Sequence, residues 1–217
     1  LRVAMAGGCD WEPPRLELAT TAEDEAAADR AWAALGLPAG ERVVVLNSGG
    51  AFGAAKSWPV EHFAALAARL VDERGLSVLV NCGPAERDAA RDIVRQAARP
   101  AVTSLADFDV PLGLSKGVIK RCRLLVTTDS GPRFFGVAFG RPVVTLFGPT
   151  GPKLTATHYA GEQCLTLGLD CQPCMARTCP LGHHRCMQDL SVERVLVAVA
   201  KGLDGSATGA RVGRGAA

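Results

Sequence analysis

The sequence lacks the features that mark several large classes of protein. No apolar run approaches the ~20 residues that a membrane-spanning helix needs, and no long apolar stretch precedes a cleavage site near the start, so we see no secretory signal. The net charge is only +2 over 217 residues, which gives little field to attract nucleic acid. We therefore expect a cytoplasmic protein without a nucleic-acid partner.

The sequence also begins with Leu rather than Met, and its first residues show little periodicity. We interpret residues 1–40 as a linker and the end of a preceding half that is missing from this chain. Residues 41–203 are the main domain, with a Cys-rich loop at 164–187. Residues 204–217 are rich in Gly, Ala and Arg, a composition typical of a disordered tail.

Apolar residues, in contrast, are plentiful at 48%, enough to build a core. Continuous apolar segments such as residues 42–47, 77–82 and 124–128 alternate with helical patterns such as residues 60–74. Strands that are buried on both faces and separated by helices are typical of a parallel sheet. The sequence predicts an α/β fold with a doubly wound, Rossmann-like parallel sheet, whose ligands bind beyond the carboxyl ends of the strands.

The loop SGGAFGAAKSWP, residues 48–59, follows the first predicted strand and contains G-x-x-x-x-A-K-S. This pattern is one residue short of the phosphate-binding loop of nucleoside triphosphatases. Pro59 disfavours a helical Trp58, so the helix begins at the proline rather than around Lys56. No apolar strand ends in an Asp placed to hold magnesium. The alternatives are a tight glycine turn with a solvated lysine and a different phosphate-binding loop.

The loop TTDSGP, residues 127–132, lies between a predicted strand and a predicted helix. The backbone amides of Ser130 and Gly131 belong to a helix N-terminus, which attracts anions. Asp129 is suited to accept hydrogen bonds from sugar hydroxyls. The alternative is that Asp129 or Ser130 only caps the helix.

The loop GPAE, residues 83–86, follows the second predicted strand. An acid just beyond a strand end, here Glu86, is suited to bind the hydroxyls of a ribose. The alternative is an acid that favours the first turn of a helix.

Taken in order, GGAFGAAKSWP, GPAE, TTDSGP and GRPVVTLFGPT resemble glycosyltransferase family 9, the ADP-heptose:lipopolysaccharide heptosyltransferases. The resemblance extends from about Arg42 to Leu203. It implies the GT-B architecture, in which two Rossmann-like halves face each other across a cleft. The chain resembles the C-terminal half, which binds the nucleotide-sugar donor.

The resemblance also implies an activity. It indicates an inverting transfer from a nucleotide-activated sugar, ADP-heptose, to a lipopolysaccharide core acceptor, by a protein located at the inner face of the membrane. The catalytic base is expected in the missing N-terminal half, so none is expected here. Backbone amides and a lysine stabilise a leaving diphosphate without a cofactor. The alternative is a donor-binding half that has lost its other half. It would serve as a non-catalytic nucleotide-binding module, or as an interaction module held together by a metal ion.

Site residues are implied where the motifs match. Lys56 resembles the lysine that contacts the donor diphosphate and sugar, and Glu86 resembles the acid that holds the ribose. Asp129 resembles the aspartate that faces the donor sugar. Ser130 and Gly131 resemble the residues that receive the phosphates.

The chain departs from the family pattern just after the Asp-Ser-Gly-Pro motif. The family usually has a His two residues after the proline, and Phe134 occupies that position here. Either a donor to the phosphates is missing, or Arg133 substitutes for it.

The segment CQPCMARTCPLGHHRCM contains four of the eight cysteines, Cys171, Cys174, Cys179 and Cys186. Four thiols this close in sequence are able to hold Zn²⁺ or an iron–sulfur cluster, although the spacing is tighter than that of a zinc ribbon. Disulfides and free thiols are the alternatives. Some members of the similar family have such a stretch and others lack it, which favours a structural clip over a catalytic part.

Overall fold

The computed structural model describes residues 2–50 and 52–209. The helices are α1 (Arg2–Ala6), α2 (Ala22–Ala34), α3 (Val60–Arg74), α4 (Arg87–Ala97), α5 (Leu112–Arg121), α6 (Gly131–Ala138), α7 (Arg185–Gln188) and α8 (Val192–Gly209). The strands are β1 (Val43–Asn47), β2 (Ser77–Asn81), β3 (Val102–Ser104), β4 (Leu124–Thr128), β5 (Val143–Leu146) and β6 (Glu162–Leu165).

The strands form one parallel sheet in the order β3-β2-β1-β4-β5-β6. Every residue of β1 and β4 is buried, as expected for central strands covered on both faces. The predicted doubly wound, Rossmann-like sheet is therefore confirmed. The chain runs outward from β1 to β3 and then crosses back to β4, so the topological switch point lies between β1 and β4.

Two apolar layers cover the sheet. Helices α3, α4 and α8 pack on one face, against alternate residues such as Val44 and Leu46 of β1. Helices α2, α5 and α6 pack on the other face, against Val43 and Val45 of the same strand. The period-two alternation of a strand thus divides β1 between the two layers.

Helix α2 belongs to this domain, which corrects the interpretation of residues 22–34 as part of a linker. It packs on α5, and its Ala28 and Ala31 are buried in the core. The close approach depends on Gly117 of α5, where an added Cβ would lie 2.7 Å from the Cβ of Ala28. Glu25 of α2 also pairs with Arg121 of α5 at 2.7 Å.

The C-terminal segment differs from its prediction in part. Helix α8 continues to Gly209, so residues 204–209 are helical rather than a disordered tail, and residues 210–217 lie outside the described residues. The edge strand β6 was not predicted, because its sequence, EQCL, is short and mostly polar. In the described part of the chain, no helix combines the length and apolar character needed to cross a bilayer.

Candidate functional site

A chain of buried amides and hydroxyls joins three strands at their carboxyl ends. Asn47 ends β1 and Asn81 ends β2, and the two are paired in register. Nδ2 of Asn81 donates to Oδ1 of Asn47 at 2.9 Å, while Nδ2 of Asn47 donates to the hydroxyls of Thr127 and Ser130 at 3.2 Å. Sequence reasoning missed both asparagines, although each ends an apolar strand at the same place.

The loop at 48–59 lies against the acid of the GPAE loop. A Cβ on Gly49 would lie 2.3 Å from Cγ of Glu86, so only glycine allows this contact. The Glu86 carboxylate accepts a hydrogen bond from the amide of Gly83 at 3.0 Å, which is the local capping role considered as its alternative. Gly53 adopts φ +135° and an added Cβ would lie 2.8 Å from the carbonyl oxygen of Arg177.

Lys56 reaches across the switch point to the loop after β4. Its Nζ donates to Oδ2 of Asp129 at 2.9 Å and to the Asp129 carbonyl at 2.6 Å. It also lies 4.5 Å from the centre of the Phe52 ring. The lysine side chain is only 11% exposed, so it is not the solvated lysine of a simple glycine turn.

Arg133 is placed differently from its predicted role. Its side chain is fully buried between the rings of Phe134 and Phe147, and its guanidinium pairs with Glu162 of β6 and with Asp129. These interactions are with buried groups of the protein, and the Arg133 side chain has no exposed surface in this structure.

Opposite charges keep the buried carboxylates ionised. Burial raises the pKa of Asp129, but hydrogen bonds from Lys56 and Thr150 and the charges of Lys56 and Arg133 outweigh it, and the pKa lies below its ordinary value. Burial likewise raises the pKa of Glu162, but hydrogen bonds from Arg133, Thr145 and Thr157 together with the charge of Arg133 outweigh it, and the pKa lies below its ordinary value. The pKa of Arg133 is raised, because its carboxylate partners outweigh its own desolvation.

The N-terminus of α6 opens to solvent beside this cluster. Ser130 makes no side-chain cap to the helix, and its Oγ donates to the Thr128 carbonyl at 3.3 Å instead. An added Cβ at Gly131 would meet no atom within 4 Å. The backbone amide of Gly131 therefore has no cap from the Ser130 side chain, and Gly131 itself is exposed, so this helix end is accessible to an anion.

A family model described as glycosyltransferase family 9 (heptosyltransferase) matches residues 6–185. The chain belongs to this family. Lipooligosaccharide heptosyltransferase 2 of Campylobacter jejuni is 32% identical over 167 residues, which cover 75% of this chain and 52% of that protein. Lipopolysaccharide heptosyltransferase 2 of Escherichia coli is 29% identical over 150 residues, 68% of this chain and 43% of that protein. The chain thus spans about half the length of these curated relatives.

Solved structures extend the family likeness to the fold. The ADP-heptose LPS heptosyltransferase II of E. coli superposes with a TM-score of 0.71 at 25% identity, over 88% of this chain and 54% of that one. The family 9 glycosyltransferase of Veillonella parvula gives 0.79 at 26%, over 94% and 58%. Both confirm the Rossmann-like α/β fold of a GT-B glycosyltransferase.

The Cys-rich loop of this family 9 chain contacts the loop at 48–59. The carbonyl of Arg177 accepts from the amide of Ala55 at 3.1 Å, and Nε2 of His184 lies 2.8 Å from the Ala55 carbonyl. All eight cysteines of the chain are free thiols. The four of the cluster line a hollow of about 20 Å³ next to Ala55: Cys171, Cys174, Cys179 and Cys186.

The thiols of this hollow are not arranged as a metal centre. Among residues 2–50 and 52–209, no group of three or more His, Cys, Asp or Glu side chains is placed to hold a metal ion. The pKa of Cys179 is lowered by the backbone amide of His184, whereas burial raises that of Cys186. Structural zinc, one of the alternatives for this cluster, therefore has no support in this arrangement.

The buried carboxylates predict a loss of stability in acid. The pKa values of Asp129 and Glu162 lie below their ordinary values of 3.8 and 4.5, so both contribute stability that is fully present above about pH 5. That contribution declines as the pH falls through the ordinary values toward the folded ones. We expect the free energy of unfolding, measured with urea, to fall between pH 5 and pH 3. The Glu162→Gln variant should show a shallower fall, and an equal slope would contradict the assignment.

Proposed function

We propose that the chain is the donor-binding half of an inverting glycosyltransferase that takes a nucleotide-activated sugar. The observation that carries the proposal is the juxtaposition of Lys56 and the open N-terminus of α6 at the switch point between β1 and β4. Ligands of open α/β sheets bind at such points. A lysine ammonium and the N-terminal end of a helix together suit a diphosphate.

The proposed mechanism assigns a task to each group. The diphosphate accepts a hydrogen bond from the amide of Gly131 and draws the Lys56 ammonium away from Asp129. The Asp129 carboxylate keeps its ion pair with Arg133 and its hydrogen bond from Thr150. The acceptor hydroxyl forms a bond to the anomeric carbon and gives its proton to the base proposed on the N-terminal half, while the sugar–phosphate bond breaks. Negative charge then grows on the leaving diphosphate, and the Gly131 amide and Lys56 stabilise it. The carboxylate of Asp129 then faces the sugar, on which positive charge develops. No step requires a metal ion.

Glu86 completes the proposed donor site on the other side of Gly49. We propose that its carboxylate exchanges the amide of Gly83 for the ribose hydroxyls. Ser130 contributes its hydroxyl to the phosphates. Arg133 acts as a positioning residue that holds Asp129, rather than as a donor contact.

The substrates and partners are proposed from the relatives. Their names describe heptosyltransferases of lipopolysaccharide or lipooligosaccharide, and one solved neighbour is named for ADP-heptose. We propose ADP-heptose as the donor and a lipopolysaccharide core as the acceptor, with the catalytic base and most of the acceptor site on an N-terminal half. The proposed location is the cytoplasmic face of the inner membrane.

The Cys-rich loop is proposed to act as a clip. It holds both the amide and the carbonyl of Ala55, which immediately precedes Lys56. A loop fixed at this residue keeps the lysine pointing toward Asp129. The cysteines then contribute by packing, with no catalytic part.

Binding of ADP tests the donor site. We expect Lys56→Ala to weaken ADP binding about 10- to 100-fold, because a charge-assisted hydrogen bond to phosphate contributes ~1.5–3 kcal/mol. Isothermal titration of both proteins measures the change. Arg95→Ala, an exposed position on α4, serves as the charge-matched control and should bind ADP as the unchanged chain does. Equal affinities for Lys56→Ala and the unchanged chain would contradict the phosphate role of Lys56.

Phe134 favours the second candidate, a nucleotide-binding module without activity. It is 36% exposed on α6 at the position where the family usually has a His. We expect Phe134→His to tighten ADP binding if this position faces the phosphates. Sugar transfer by the unchanged chain, supplied with an N-terminal half, would exclude the non-catalytic alternative.

A further inference from the structure

A large cleft lies at the edge of the sheet opposite to the proposed donor site. It is formed where the chain enters β1, β4, β5 and β6, and its volume is about 1260 Å³. Trp32 and Tyr159 form parts of its walls, and Gly140 and Gly161 leave it open. Its charged lining residues are five bases and one acid: Lys120, Arg121, Arg123, Arg141, Lys201 and Glu41.

Two of the five bases are neutralised by carboxylates of α2. Lys120 pairs with Glu25 at 2.6 Å, and Arg121 pairs with Glu25 at 2.7 Å and with Asp29 at 2.6 Å. These are the short distances expected of charge-assisted hydrogen bonds. The excess positive charge of the cleft therefore comes from its other three bases.

Arg123 and Arg141 have no carboxylate partner in residues 2–50 and 52–209. Arg123 donates to the carbonyls of Glu41 and Leu203, at 3.4 and 3.3 Å, and its buried Nε has no hydrogen-bond partner among the described residues. Arg141 donates to the carbonyls of Phe139 and Cys122, at 3.3 and 3.5 Å. All four bonds are long, so both guanidinium groups are poorly satisfied.

The sheet register brings these two guanidinium-bearing residues together. Leu125 of β4 pairs with Val143 of β5, and the same register two residues earlier sets Arg123 beside Arg141. Neighbouring strands are ~4.8 Å apart. Two half-buried like charges that line the same cleft repel each other, and an anion bound between them would reduce the repulsion.

We propose that this cleft is a binding site for a small diphosphate-bearing molecule, held by the guanidinium groups of Arg123 and Arg141. Guanidinium groups match phosphate oxygens with paired hydrogen bonds. The two guanidinium groups offer donors for two phosphoryl groups, and the exposed Lys201, which also lines the cleft, adds a third positive charge. The site is separate from the donor site, because it lies at the amino rather than the carboxyl ends of the strands.

Pyrophosphate is the probe that tests this site. Isothermal titration is carried out in the Lys56→Ala chain, so that the proposed donor site contributes little. We expect this chain to bind one pyrophosphate, and the added substitutions Arg123→Gln and Arg141→Gln to weaken that binding at least ~10-fold, as the loss of charge-assisted bonds implies. Adding Arg123→Lys and Arg141→Lys instead should retain more affinity than the Gln pair but less than the arginines, because the charge remains while the paired hydrogen bonds of a guanidinium are lost.

Matched controls distinguish pyrophosphate binding in the cleft from a general effect of the protein's positive charge. Arg95→Gln in the same Lys56→Ala chain changes one charge on the exposed face of α4 and should leave pyrophosphate binding unchanged. Circular dichroism confirms that each variant is folded. Equal affinity with and without the two arginines would overturn the proposal, as would an equal loss on Arg95→Gln. Unchanged ADP binding on Lys56→Ala would contradict the proposed donor site, whereas the arginine substitutions change only the cleft, so the two failures are distinguishable.

Discussion

Replacing Arg133 by Met is expected to lower the free energy of unfolding by ~3–5 kcal/mol, the cost of breaking a buried ion pair by removing one partner. Arg133 has no exposed surface, and it is the shared cation of Asp129 and Glu162. Without it, Glu162 keeps only the hydroxyls of Thr145 and Thr157 and remains a buried charge. Met fills a similar volume, so the loss reports the charge rather than a cavity.

Urea unfolding of the unchanged chain and three variants measures the effect. The double variant Arg133→Met with Glu162→Gln should recover part of the loss, because the orphaned charge is removed together with its partner. Arg99→Met is the control, since Arg99 pairs with Asp72 on the surface at 2.8 Å and should cost no more than ~1 kcal/mol. A loss from Arg133→Met no larger than this control would show that the cluster does not carry the stability assigned to it.

Replacing Trp58 by Ala is expected to cost ~3–5 kcal/mol, the range for deleting a large aromatic side chain from a core. Trp58 is 2% exposed and stacks edge-on against Phe63, with ring centres 4.8 Å apart. Its Nε1 donates to the carbonyl of Leu190 at 2.8 Å, which connects the loop at 48–59 to the segment before α8. The variant therefore loses packing and a buried hydrogen bond together.

Trp58→Phe separates the two contributions. It keeps most of the apolar surface but leaves the Leu190 carbonyl without its donor, so we expect a cost of ~1–3 kcal/mol, below that of Trp58→Ala. Thermal and urea unfolding measure both variants. Trp11, which is 63% exposed, provides the control, and Trp11→Ala should leave stability within ~0.5 kcal/mol. Equal costs for Trp58→Ala and Trp11→Ala would contradict the core role of Trp58.

The start of α3 explains why the near match to the phosphate-binding loop of nucleoside triphosphatases is misleading. In the structure α3 begins at Val60, after Pro59, and a short 3₁₀ turn covers Ala54–Lys56. The helix thus starts beyond Lys56, as the proline predicted. Lys56 is left to point at Asp129 instead of lying at the first turn of a helix.

Local sequence signals were sufficient to predict helices and strands whose bounds depend on neighbouring residues in the chain. The bounds of α3 and β4 agree with the prediction, because Gly75 ends the first and both are strongly apolar on their buried sides. The register of β1 with β4, and hence the meeting of their loops at the switch point, follows from the parallel order of the sheet. The site residues Lys56 and Asp129 were proposed from motifs alone, and the structure places them in contact.

The partners of Arg133 could not be predicted from local sequence signals. Glu162 lies 29 positions further along the chain, on an edge strand whose sequence has no apolar pattern, and nothing local to Arg133 indicates burial. The same holds for Arg123 and Arg141, which only the pairing of β4 with β5 sets side by side.

By itself, the sequence determined the α/β class, the main strands and helices, and the loops that carry the proposed donor contacts, because hydrophobic period, glycine and proline act over a few residues. The tertiary structure alone decided which charges are buried, which are paired and which are left over. Those outcomes depend on atoms that meet across the sheet, where removal from water makes an ion pair with a distant residue obligatory. Arg133 was in this way turned from an expected donor contact into the buried support of Asp129.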